Sequence, residues 1–191
     1  MGTKSMLKNN EDVHKFIHDD SLLDTVNRIK PYKQFEKKFY DSVFDNNGCH
    51  LSPLQSVFIK EINGMKVGFL CLNTAWRCYD SSKDRGGILI GKSQIEDCLH
   101  LLNDCSVKIA ISHHHYSWMH NMEKDDLRKM IISNFNLYFC GHTHSPEEEL
   151  VIKPYGRTFT IVSPGVLSSN VFNDGKYKNG FSVIDYDMNR Y

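Results

Sequence analysis

Long hydrophobic runs are missing from this chain, and the longest, such as residues 67–72, fall far short of the ~20 residues a membrane-spanning helix needs. No span of a bilayer is expected. An excess of charge of either sign is also missing, since 23 Lys and Arg balance 23 Asp and Glu. No overall field therefore draws the chain to an anionic membrane or to nucleic acid, although local basic patches leave nucleic acid open as a partner. No CxxC pair occurs among Cys49, Cys71, Cys78, Cys98, Cys105 and Cys140. Several of these fall inside apolar strand or helix patterns, so they read as reduced, mostly structural thiols. The first residues, MGTKSM, are polar and lead into KNNED, without the apolar stretch of a signal peptide. A soluble, cytoplasmic protein with no membrane partner is the expectation.

What is present suffices for one globular domain or a large part of one: 191 residues, 40% of them hydrophobic. Residues 1–55 are rich in Lys, Asp and Asn, with apolar positions at helical spacing. The pattern predicts a helix capped by Ser21 through Leu22, Leu23, Val26 and Ile29 and stopped by Pro31, then an amphipathic stretch through Phe35, Phe39 and Val43. From Ser56 the signal changes to strands. Residues 56–62 and 65–72 flank Asn63-Gly64, the strongest short hairpin signal. A helix over 93–103 places Ile95, Cys98, Leu99 and Leu102 on one face, and a strand over 107–112 follows. A helix over 124–134 turns Leu127, Met130 and Ile131 inward and leads to a strand over 136–140. Strands at 150–153, 158–163 and 181–186 complete an α/β fold, with 1–55 as a helical segment and 56–191 as the main unit.

Two of these strands run straight into histidines: the first into Ser112-His113-His114-His115, the second into Gly141-His142-Thr143-His144. If the strands are parallel, both clusters lie at strand C-termini, where α/β sheets place their sites. A lone loop histidine is ordinarily a surface or hydrogen-bonded structural group. Here five of the ten histidines fall in the two clusters, which favours a metal site. A structural zinc site using Cys140, His142 and His144 is the weaker alternative, because no second cysteine pair completes it. Tyr116 and Trp118 directly follow the triplet and read as packing or as a rim for substrate.

The run KIAISHHHYSW (108–118) resembles the strand and HH(H/P)P segment of calcineurin-like metallophosphoesterases, and LYFCGHTH (137–144) resembles their strand followed by GHxH. Leu72-Asn73-Thr74, the Gly87–Leu102 segment with its glutamine, and Ile161–Gly165 resemble further pieces, so the likeness covers residues 56–187. The nearest pattern is the cyclic-nucleotide-phosphodiesterase-like branch. The resemblance implies the C-terminal half of a four-layer β-sandwich flanked by helices, and hydrolysis of a phosphate ester by two divalent ions (Mn, Fe, Zn or Ni). It implies His113 and His142 as ligands of one metal and His144 as a ligand of the other. His114 and His115 would lie near the substrate phosphate.

The family's remaining ligands come from DxH, GDxx and GNH(D/E) segments, and none occurs here in context. Asp12-Val13-His14 fits DxH literally but follows no apolar strand. The expectation is therefore a truncated or split phosphoesterase, inactive alone, holding at most one weak metal ion and completed by an N-terminal half. The alternative is a non-catalytic interaction module retaining half of the fold.

Overall fold

The computed structural model describes residues 7–23, 28–43, 48–78, 80–143, 147–153, 156–162, 165–166 and 180–187. It is a mixed α/β structure. The helices are α1 (Asn10–Ile17), α2 (Asp20–Leu23), α3 (Lys30–Asp41), α4 (Ser81–Asp84), α5 (Ser93–Leu99) and α6 (Asn121–Asn134). The strands are β1 (Cys49–Leu51), β2 (Ser56–Ile62), β3 (Met65–Cys71), β4 (Val107–Ser112), β5 (Leu137–Cys140), β6 (Glu147–Lys153), β7 (Gly156–Val162), β8 (Gly165–Val166) and β9 (Gly180–Phe181). Strands β1 to β7 form one sheet in the order β1-β2-β3-β4-β5-β7-β6, and β8 pairs with β9 separately.

The β2–β3 hairpin turns at Asn63-Gly64, both at positive φ, as an Asn-Gly turn requires. The centre of the sheet is parallel: β3 with β4, β4 with β5, and β5 with β7. Antiparallel partners close each side, β2 on β3 and β6 on β7. One face carries Leu70, Ala110, Tyr138 and Cys140 against Ile95, Leu102, Leu127 and Ile131 of the α5 and α6 regions. Gly68 lets this layer close, since a Cβ there would meet Leu102 Cδ2 at 2.5 Å and Cys105 Sγ at 2.8 Å. The opposite face carries Val67, Val107, Ile109 and Leu137, with half-buried Phe69, Ile111, Phe139 and Phe159.

Helix α1 docks at one end through Val13, Phe16 and Ile17, which pack with Leu54, Trp76 and Leu89. Asn9 caps it, accepting from the Asp12 amide at 2.8 Å. Asp12-Val13-His14 therefore lies within a helix, and His14 is engaged with Ser93 Oγ at 2.7 Å.

Several expectations need correction. Pro31 does not stop a helix but occupies the first turn of α3, where its missing N–H costs nothing. Ser21 lies inside α2, and the preceding turn is held by the Asp19 carboxylate, which accepts from the Ser21 and Leu22 amides at 2.9 and 3.2 Å. Residues 49–51 join the sheet as β1, so the predicted helical segment ends in a strand. Of the predicted 181–186 strand only Phe181 pairs among the described residues, opposite Gly165; residues 182–187 are in no described strand. The predicted 158–163 strand ends at Val162, and Ser163 lies outside the described residues.

Candidate metal centre

The parallel register aligns Ser112 with Cys140, so the two histidine loops leave adjacent strands at the same level and on the same end of the sheet. A backbone bond ties them, Gly141 N donating to His113 O at 3.0 Å. Gly141 sits against the His113 ring: a Cβ on it would touch His113 Nδ1 at 3.5 Å. His142 then takes φ 72°, a left-handed conformation in which His is among the better tolerated side chains. This turn swings its imidazole back over the neighbouring loop.

Three imidazoles converge as a result. His113, His114 and His142 each offer a ring nitrogen, and these atoms lie within 4.8 Å of one another. His142 Nδ1 is 3.1 Å from His113 Nε2. Two nitrogens on one tetrahedral ion with bonds of ~2.1 Å lie about 3.4 Å apart, so the spacing is close to that of a shared metal. Neutral imidazole donors suit Zn²⁺ or Ni²⁺, and this group could hold such an ion.

His114 is the buried member, at 4% exposure. Its Nδ1 is 2.8 Å from Thr74 Oγ1 and its backbone amide donates to the same oxygen at 3.4 Å. With Nδ1 engaged, Nε2 is the atom left for a metal, the outer-contact arrangement usual for ligating histidine. Its carbonyl accepts from Ser112 Oγ at 2.8 Å and from Tyr138 Oη at 3.2 Å. Burial foremost, then the neighbouring His113 and His142 rings, pushes the His114 pKa down to about 4, so it is unprotonated at neutral pH. Trp118 forms an edge-on wall against His142, ring centroids 4.4 Å apart, with the Arg85 guanidinium 5.6 Å from the indole centroid.

The resemblance's residues distribute unevenly. His113 and His142 come together as expected. His114, expected beside the substrate, also belongs to the converging group. His115 turns away: its Nδ1 lies 2.8 Å from Ser117 Oγ and accepts from the Ser117 amide, capping the short turn Tyr116–Trp118. His144 lies outside the described residues. Cys140 is buried in the helix-covered core with its thiol toward the Ile161 carbonyl at 3.9 Å.

Two supporting residues had been given no role from the sequence. Thr74 was visible only as part of Leu72-Asn73-Thr74. Gln94, fully buried, clamps the end of β3: its Oε1 accepts from Asn73 N at 2.8 Å, and its Nε2 donates to Asn73 O at 3.1 Å and Ile90 O at 2.6 Å. A cleft of about 380 Å³ opens beside His113, lined among others by Arg28, Tyr32, Glu36, Asn73 and Thr74. No family model matches this chain, and neither does any curated protein.

Proposed function

We propose that this chain is the C-terminal half of a calcineurin-like metallophosphoesterase domain, and that it takes part in phosphate-ester hydrolysis when an N-terminal half supplies the missing carboxylates. The observation that carries the reading is the convergence of His113, His114 and His142 where adjacent parallel strands end. The histidine segments and their resemblance support it from the sequence side.

His113, His142 and His114 would hold one divalent ion, with His144 the candidate for a second. A bound divalent ion supplies polarisation of a phosphoryl oxygen and a nucleophile at neutral pH. Thr74 holds the ring angle of His114, and Trp118 shields one side of His142 from water. The cleft beside His113 would receive the ester, with Arg28 among its lining groups.

Calorimetry with Zn²⁺ or Ni²⁺ tests the reading. One weak site is expected, abolished by His142→Ala. Binding unchanged in a His113→Ala, His114→Ala, His142→Ala triple variant would place the metal elsewhere and remove the support for phosphoesterase chemistry at these strand ends.

A further inference from the structure

Strand β3 ends just short of the residues that reach His114. Its pairing with β4 closes at Cys71 opposite Ile111, and the last rung is Leu72 N donating to Ile111 O at 2.8 Å. Asn73 and Thr74 lie beyond that rung, where a strand end leaves main-chain N–H and C=O groups without ladder partners. A side chain takes the place of a neighbouring strand. Gln94, fully buried, accepts at Oε1 from Asn73 N at 2.8 Å and donates from Nε2 to Asn73 O at 3.1 Å and to Ile90 O at 2.6 Å.

A planar carboxamide that binds both main-chain groups of one residue restrains the peptide planes on either side of it, as a paired strand residue does. Asn73 extends the grip forward, its Oδ1 accepting from Ala75 N at 3.0 Å and from Trp76 N at 3.1 Å. Thr74, 2% exposed, is thereby pinned between two restrained positions. Its hydroxyl is the one hydrogen-bond partner of the His114 ring among the described residues, 2.8 Å from Nδ1, and it also receives the His114 amide. A buried glutamine ordinarily does no more than satisfy nearby backbone. Here two of its three bonds fall on the residue that directly precedes the group holding a converging imidazole.

We propose that Gln94 is a positioning residue for the metal group, setting the place of the Thr74 hydroxyl and through it the direction in which His114 presents Nε2. The inference rests on the metal reading given above. Both N–H groups of Gln94 are already donated to carbonyls, and it makes no hydrogen bond to a histidine. Its effect therefore passes through Asn73 and Thr74. The clamp also has a footing away from the site, because the Ile90 amide is held by the buried Glu123 carboxylate.

The test is Zn²⁺ calorimetry on the full chain as wild type, Gln94→Met, Thr74→Val and the double variant. Methionine is close to glutamine in length and volume and removes all three bonds. Gln94→Met is expected to weaken Zn²⁺ binding about tenfold, the low end for outer contacts of a ligating histidine. The double variant should bind within about twofold of Thr74→Val alone, since residues acting through one contact are not additive. Gly68→Ala strains the neighbouring layer against Leu102 and Cys105 and separates positioning from plain destabilisation; its Zn²⁺ affinity should equal that of wild type. In the metal-free chain the ring-nitrogen resonances of His114 should shift in Gln94→Met and stay in place in Gly68→Ala. If thermal melting shows Gln94→Met unfolded, Gln94→Asn, one methylene short of Asn73, replaces it in the same comparison. A wild-type chain that takes up no Zn²⁺ sinks the metal reading, and the role of Gln94 falls with it. Wild-type binding that Gln94→Met leaves unchanged, a loss that adds in full to that of Thr74→Val, or an equal loss in Gly68→Ala overturns the role of Gln94 and leaves the metal reading standing.

Discussion

Replacing Glu123 by Gln should destabilise the fold in a way that depends on pH. Glu123 is 1% exposed, and its carboxylate accepts from Ile90 N at 2.5 Å and from Gly91 N at 2.9 Å. It thereby fixes the loop on which α1 sits, since a Cβ on Gly91 would meet Ile17 Cδ1 at 2.2 Å. Glutamine offers one oxygen and one NH₂, so one of the two amides faces a donor instead of an acceptor. An unsatisfied buried donor costs about 1–3 kcal/mol, and a loss near 2 kcal/mol is expected at neutral pH. Burial pushes the Glu123 pKa up to about 7, against the pull of its two amide bonds and of Arg77. A carboxyl whose folded pKa is raised adds stability that is complete below its ordinary value near 4.3 and is lost as pH rises through 7. The maximum contribution is about 4 kcal/mol at 1.4 kcal/mol per pH unit. Urea unfolding followed by tryptophan fluorescence at pH 5, 6, 7 and 8 measures the gap between wild type and Glu123→Gln, in which other titrating groups cancel. The gap should narrow as pH rises. A gap that widens toward pH 8 would mean that the two amides hold an ionised carboxylate, and the burial argument would fail.

Four further outcomes are expected. Thr74→Val removes the oxygen that orients His114 and should weaken Zn²⁺ affinity about 10- to 100-fold by calorimetry while the fold is retained. Metal binding should weaken below about pH 6, because free imidazole, with a pKa near 6.5, is then protonated and competes for the ion; an affinity flat from pH 7 to pH 5 would argue against histidine ligands. The chain alone should hydrolyse bis-p-nitrophenyl phosphate no faster than background with Mn²⁺, Zn²⁺ or Ni²⁺ present, and turnover lost in His142→Ala would contradict this. Gly68→Ala should cost about 1–3 kcal/mol in chemical denaturation, since its methyl group collides with Leu102 and Cys105 in a close-packed layer.

Legibility followed the length scale of the interactions. Strands β2 to β5 could be read from the sequence because their apolar runs are strong and their limits are marked by Asn63-Gly64 and by the histidines. The candidate site was legible to the level of loops, since two strands ending in histidine at parallel-strand spacing bring their histidines to one end of the sheet. Which imidazoles face one another was not, because the left-handed turn at His142 and the Thr74 contact to His114 are made across the sheet. Pro31 was misread for a local reason: a proline that ends one helix and a proline in the first turn of the next look alike in sequence. The alternation in residues 181–186 suggested a strand, yet only Phe181 of them lies in a described strand, and Val183 is 87% exposed. In α3 the periodicity revealed an apolar side but could not reveal that the Lys33–Glu36 ion pair, hydrogen-bonded to Ser56, would turn an adjoining side inward.

The tie between Gly141 and His113 also bears on the order in which the molecule folds. The two histidine loops are 29 residues apart, with the turn Tyr116–Trp118, α6 and β5 in the chain between them. Closing so short a loop costs little entropy, and contacts this local form early. The histidine group is therefore expected to form without waiting for the antiparallel edges or for α1 and α3. In native-state hydrogen exchange the amides of Ala110, Ile111 and Tyr138 should be among the last to open, with those of α3 and β6 opening first. A chain organised in this way would hold its converging histidines in its slowest-opening unit, with the sheet edges and α3 opening before it.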